Sequence, residues 1–138
     1  MQIGELDQTE IDAAVDLWRT CGLTRPWNDP HADIRLALDA AASTLFAGRV
    51  GGQLVATAMT GFEGHRAWVY YLAVDPSYRG AGHGRALMRA CEVWAAGQGA
   101  PKIQLMVRTD NEAASAFYQT LGYQRQDVEV YGRRLDAG

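Results

Sequence analysis

The chain has 138 residues, 48% of them hydrophobic, and a formal net charge of −3. That is enough material for one domain, 1–138, with its own core, and the wrong charge for a surface that coats nucleic acid. No run approaches the roughly 20 consecutive apolar residues of a membrane span, and the start, Met-Gln-Ile-Gly-Glu-Leu-Asp, lacks the basic and apolar regions of a secretory signal. A cytoplasmic protein that binds neither nucleic acid nor membrane is therefore expected. Cys21 and Cys91 are too few for a disulfide framework, and nothing near them has metal-ligand spacing.

In chain order, Gln2 to Leu6 alternates and predicts a first strand. Asp7 or Thr9 then caps a helix whose Ile11, Ala14, Val15 and Trp18 fall on one face, and Gly22 stops it. The connection Leu23-Thr-Arg-Pro-Trp-Asn-Asp-Pro30 is stiffened by two prolines and offers a cation, an aromatic face and an amide at Arg25, Trp27 and Asn28. Asp29 and Pro30 read as N-cap and first position of a second helix through Ile34, Leu36 and Leu38. Two β-prone runs, Thr44 to Val50 and Gln53 to Phe62, flank Gly51-Gly52 and predict a hairpin with a primed turn.

Ala67 to Val74 is an almost unbroken apolar run, the pattern of a strand buried on both faces, and Asp75-Pro76 ends it. Gly80, Gly82 and Gly84 then alternate just before a helical pattern in which Leu87, Ala90, Cys91 and Trp94 share a face. Alternate glycines permit positive φ and close approach of a ligand to bare N–H groups. The following helix adds unpartnered amides and a partial positive charge, so the combination suits a phosphate-bearing ligand. Arg79, Arg85 and Arg89 surround the loop. A Walker loop would need Lys and then Ser or Thr after its last glycine, where Gly84 is followed by Arg85 and Ala86; a dinucleotide fingerprint fails at its third glycine.

Pro101 follows the glycines that close this helix, and Ile103, Leu105 and Val107 alternate as a fifth strand. Asp110 or Asn111 caps a fourth helix bearing Ala113, Phe117 and Leu121, and Tyr123 to Tyr131 reads as a last long strand. Its edge would need covering, by a homodimer for example.

Two motifs carry a resemblance. Arg79-x-x-Gly82-x-Gly84 after a strand ending Leu72-Ala73-Val74-Asp75-Pro76 resembles the coenzyme loop of the GCN5-related N-acetyltransferases (GNAT). Asn111-Glu-Ala-Ala114-Ser-Ala-Phe117-Tyr118-Gln-Thr-Leu121-Gly122-Tyr123 resembles that family's second signature. Arg25 to Pro30, with Gly64-His-Arg66 and Trp68 to Leu72, further looks like the YpeA-like bacterial branch. The resemblance implies an α/β fold with a mostly antiparallel twisted sheet of six to seven strands flanked by four helices. It also implies acetyl-coenzyme A (acetyl-CoA) as cosubstrate and N-acetylation of a primary amine. In that frame Arg79, Gly80, Ala81, Gly82, His83, Gly84 and Arg85 hold the pyrophosphate, Leu72, Ala73 and Val74 pair with the pantetheine arm, and Asn111 touches the coenzyme. Tyr118 contacts it too and protonates the leaving thiolate.

The chemistry sets what else is needed. A lysine-like amine, with pKa near 10.4, must lose a proton before it attacks. A main-chain N–H near Leu72 or Ala73 can stabilise the charge that develops on the carbonyl oxygen. Glu63, at the turn before the central strand, is the candidate base, directly or through a water that Tyr70 or Tyr71 could position; His65 and His83 are alternatives. Trp27, Asn28 and Tyr70 are candidates for the acceptor side. Direct transfer in a ternary complex is expected over an acetyl-cysteine route, since Cys91 reads as core and Cys21 has no recognisable base. A non-catalytic module that binds acyl-CoA and regulates a partner is the alternative.

Overall fold

The computed structural model describes residues 1–136. The chain forms two compact units, Met1–Met106 and a smaller one from Val107 onward.

In the first unit, strands β1 (Gln2–Glu5), β2 (Ser43–Val50), β3 (Gln53–Phe62), β4 (Ala67–Val74) and β5 (Ile103–Leu105) form one sheet in the order β1-β2-β3-β4-β5. The first four are an antiparallel meander; β5 lies parallel to β4. Gly51 and Gly52, with φ of 57° and 80°, make the tight β2–β3 turn that a residue with a Cβ would resist.

Helices α1 (Ile11–Thr20) and α2 (Pro30–Asp39) cover one face, and α3 (His83–Gly97) also packs on the sheet through β2, β3 and β4. Asp7 and Glu10 form a reciprocal capping box at the turn leading into α1, and the Asp29 side chain accepts from the His31 and Ala32 amides at the start of α2. Trp18, Val15 and Ala14 from α1, Ile34 from α2, and Leu45, Ala47 and Ala73 from the sheet close the core on that side. In α2 the buried positions are Ile34 and Ala37, while Leu36 is 72% exposed. Cys91 of α3 is fully buried, and burial, helped by the nearby Glu92 charge, pushes its thiol up to about 12, which suits a core residue and not a nucleophile.

The central strand buried on both faces is β3, where Val55, Ala56, Thr57 and Ala58 are all covered. The apolar run of β4 belongs to a strand with one open stretch: Ala67, Val69 and Ala73 are buried, whereas Tyr70 is 43% exposed. An unbroken apolar run cannot by itself distinguish core from the wall of a ligand site.

The second unit carries α4 (Glu112–Thr120). Among the described residues the sheet has five strands, not the expected six to seven. Tyr123 to Tyr131 forms no strand, and Val128, Val130 and Tyr131 are largely exposed. Alternation there supplies a two-valine stripe, but a strand also needs a neighbour for its N–H and C=O groups, and local sequence does not provide one.

Candidate functional site

The site is built around an irregularity in β4. Between the pairs Met59↔Tyr70 and Thr57↔Ala73, β4 holds one residue more than β3, which is a β-bulge. Tyr71 sits in it with φ of 52°, and no other described residue apart from glycine has positive φ. Such a conformation persists when the surroundings over-determine it. Here Thr57 Oγ1 donates to the Tyr71 carbonyl at 2.9 Å while accepting from Trp18 Nε1 at 2.8 Å. The Tyr71 hydroxyl donates to Asp33 Oδ2 at 2.7 Å. Burial, with Asp33 as acceptor, drives the phenol pKa up, so it stays a donor.

Beyond the bulge, the Asp75 amide donates to Val55 O at 2.8 Å. In an antiparallel ladder successive residues turn their main-chain groups to opposite sides. Ala73 therefore faces β3, and Leu72 and Val74 face the other edge. On that edge β5 pairs with Ala67, Trp68 and Val69, and from Tyr70 onward no described strand of this unit continues it. Of Leu72, Ala73 and Val74, it is Leu72 and Val74 that turn main-chain groups to this open edge. Val74 offers its N–H, since its carbonyl accepts from Arg79 Nε at 3.1 Å and from Cys21 Sγ at 3.4 Å.

The loop that follows is shaped for an anion. Asp75 caps a short 3-10 turn, Pro76–Tyr78, by accepting from the Ser77 amide. Gly80 and Gly82 both have φ of 81°, and a Cβ at either would meet nothing within 4 Å, so glycine is required by backbone conformation and not by crowding. Gly82 is the N-cap of α3 and makes no side-chain cap bond. Among the described residues, no hydrogen bond reaches the main-chain N–H groups of Gly80, Ala81, Gly82, His83, Gly84 or Arg85. Six bare donors thus run up to and into the positive end of a 15-residue helix, an arrangement whose chemistry fits a diphosphate. Arg85 is exposed beside it. The Arg79 guanidinium ties the loop to β4, donating to Val74 O and to Cys21 Sγ at 3.5 Å.

On the α2 side of β4 a cleft of about 330 Å³ is bordered by Phe62, Trp68 and Tyr70, the methyl groups of Ala40 and Ala42, and Glu63. Glu63 Oε1 accepts from the amides of Arg66 and, at 2.7 Å, of His65. The Arg66 amide chiefly, then that of His65, holds the carboxyl below the usual carboxylate range. Glu63 thus caps its own turn. It stands beyond the Phe62↔Ala67 pair, in the turn before β4, and borders the same cleft as Tyr70. Trp27 and Asn28 lie exposed in the α1–α2 connection, with the Asn28 amide donating to Arg25 O, and neither borders the cleft.

In the second unit Asn111 Oδ1 accepts from the Ala114 amide at 3.0 Å and so caps α4. One turn and more along, Tyr118 is half-buried, edge-on to Phe117 and Tyr123 with centroids 5.1 and 6.0 Å away.

Sequence reasoning missed Trp18, Asp33 and Thr57 as supports of the bulge, and Phe62 and Trp68 as walls of the cleft. The adjacent tyrosines were a signal for the bulge; Thr57 and Asp33 gave none. The described residues contain no cluster of three or more His, Cys, Asp or Glu placed to hold a metal ion, and no helix long and apolar enough to cross a membrane.

The family model described as "Acetyltransferase (GNAT) family" matches residues 11–123. An acetyltransferase of Yersinia pestis (strain Pestoides F) is 39% identical over 135 residues, spanning 98% of this chain and 96% of the relative. One from Yersinia enterocolitica serotype O:8 is 38% identical with the same coverage. Among solved structures, the aminoglycoside acetyltransferase AAC(6')-Iy in complex with the bisubstrate analog CoA-S-monomethyl-acetylneamine superposes with a TM-score of 0.82 at 17% identity, over 97% of each chain. The aminoglycoside antibiotic 6'-N-acetyltransferase AAC(6')-IG of Acinetobacter haemolyticus superposes with a TM-score of 0.79 at 19% identity, over 99% of this chain and 100% of that one. At such identities the likeness is one of fold.

Proposed function

The chain belongs to the GNAT acetyltransferase family, and from that premise we propose that it transfers the acetyl group of acetyl-CoA directly to a primary amine in a ternary complex. The observation that carries this reading is the set of six unpartnered amides from Gly80 to Arg85 at the start of α3, directly downstream of a β4 edge left unpaired from Tyr70. The amides hold the diphosphate; the outward groups of Leu72 and Val74 hold the amide-bearing arm. A structural neighbour in which CoA is joined to an acetylated amine supports an amine acceptor.

Bound acetyl-CoA supplies an acetyl group activated as a thioester. The Leu72 N–H, turned outward by the bulge, donates to the carbonyl oxygen as negative charge gathers there. Tyr118 gives its hydroxyl proton to the departing sulfur, whose intrinsic pKa near 8.5 makes unassisted departure slow at neutral pH. The amine loses its ammonium proton to solvent before attack, and its second proton, released as the tetrahedral adduct collapses, restores the Tyr118 hydroxyl.

Tyr118→Phe tests the reading. Thiol release should fall by about 10²-fold or more while CoA affinity, measured by calorimetry, stays within twofold. Unchanged turnover, or loss of CoA binding with no effect specific to turnover, rejects Tyr118 as the acid.

A further inference from the structure

Resting on the reading that this chain N-acetylates a primary amine, we propose that its acceptor is a small amine carried on a flat apolar body, of the arylalkylamine kind, and that the cleft bordered by Phe62, Trp68 and Tyr70 receives that body. Tyr70 is both a wall of the cleft and the last residue before the bulge. A ligand lying along the cleft therefore presents its Tyr70 end to the place where Leu72 N–H is turned outward. Leu72 is two residues past Tyr70, roughly 7 Å along a strand, so a linker of two or three atoms carries the nitrogen from the ring toward that place.

The lining fixes the character of the body. Three aromatic rings with Ala40 and Ala42 offer dispersion and π faces. The polar groups are few: Glu63 Oε1 accepts two amides and the Ser43 hydroxyl donates to Ala37 O at 2.7 Å, which leaves the Tyr70 hydroxyl, the Trp68 indole N–H and Glu63 Oε2 for a ligand. A polyhydroxylated amine would lose water from more hydroxyls than these three groups can partner. The ionised Glu63 gives the cleft one negative charge, and aromatic faces attract ammonium groups, so a cationic amine is drawn in while a carboxylate is not. The Arg66 guanidinium, next to Glu63, is turned back onto the His65 carbonyl at 3.0 Å. At about 330 Å³ the cleft is at the small end of ligand pockets.

The test compares kcat/KM for 2-phenylethylamine, tryptamine, ethylamine and glucosamine by thiol release with acetyl-CoA, in the unaltered protein and in Trp68→Ala. We expect the aryl amines to exceed glucosamine by at least about tenfold, and Trp68→Ala to shrink the ratio of 2-phenylethylamine to ethylamine by about tenfold with CoA affinity unchanged. Equal use of glucosamine, or an unaltered ratio in Trp68→Ala, overturns the inference and leaves amine acetylation standing. Failure of every amine to release thiol while CoA still binds overturns the parent reading. Should Trp68→Ala not fold, Phe62→Leu is read by the same ratio.

Discussion

The indole of Trp18 lies flat against the ring of Tyr71, centroids 3.7 Å apart and planes 5° from parallel. Through that stack helix α1 bears directly on the left-handed residue of the β4 bulge, and Thr57 joins the two by bonding Trp18 Nε1 and the Tyr71 carbonyl. The bulge is thus held by core residues on two other elements, α1 and β3, with Asp33 of α2 fixing the phenol from a third.

Replacing Thr57 with Val keeps the shape and removes both bonds. The buried Trp18 N–H then has no acceptor, which costs about 1–3 kcal/mol. Urea unfolding should show this loss, and turnover of the folded variant should fall more than its CoA affinity, because what slackens is the aim of Leu72 N–H.

Tyr71→Phe removes the hydroxyl and leaves Asp33 to solvent, a smaller loss of about 1 kcal/mol. Because burial and Asp33 together push the phenol pKa upward, the unaltered protein should show no titration of Tyr71 by ultraviolet difference spectroscopy in the ordinary tyrosine range. A normal titration at that position would contradict the geometry.

Gly82 caps α3 with φ of 81° and has open space around it. Gly82→Ala should cost about 1–2 kcal/mol from backbone strain alone and weaken CoA binding by disturbing neighbouring amides. Gly97 has ordinary φ and open space too, so Gly97→Ala should be neutral or stabilising by calorimetric melting.

Glu10 is gripped by Arg49, Nε to Oε2 at 2.9 Å with a second contact to Oε1, and its carboxyl is held below the usual range chiefly by that bond. The contribution, about 1 kcal/mol at most, is present above the unfolded carboxyl pKa and disappears as pH falls through the lower folded value. The stability gap between the protein and Glu10→Gln should therefore be full at pH 7 and close in acid. A gap that persists at low pH would show that packing, not charge, holds the pair.

Thr60 Oγ1 is buried and has no hydrogen-bond partner. Thr60→Val exchanges that hydroxyl for a methyl of similar size and should leave the melting temperature equal or raise it.

The sequence by itself determined what depends on local chemistry. Asp29-Pro30 starts a helix, Gly51-Gly52 turns a hairpin, Asp75-Pro76 ends a strand, and glycines before α3 leave amides bare; each is a steric or capping rule acting over a few residues. The family followed from two such patterns in the right order.

Tertiary structure decided the rest, because it depends on partners distant in sequence. Tyr71 takes a left-handed conformation through Trp18 and Thr57, which are 53 and 14 positions away by the numbering. The same apolar letters made Val69 core and Tyr70 the wall of a cleft, according to which side of the pleat faces α2. Glu63 Oε1 accepts from two amides of its own turn, a contact that only the folded turn makes. Tyr123 to Tyr131 had strand propensity and no neighbour to satisfy it, since ladder bonds are a property of pairs and not of a segment.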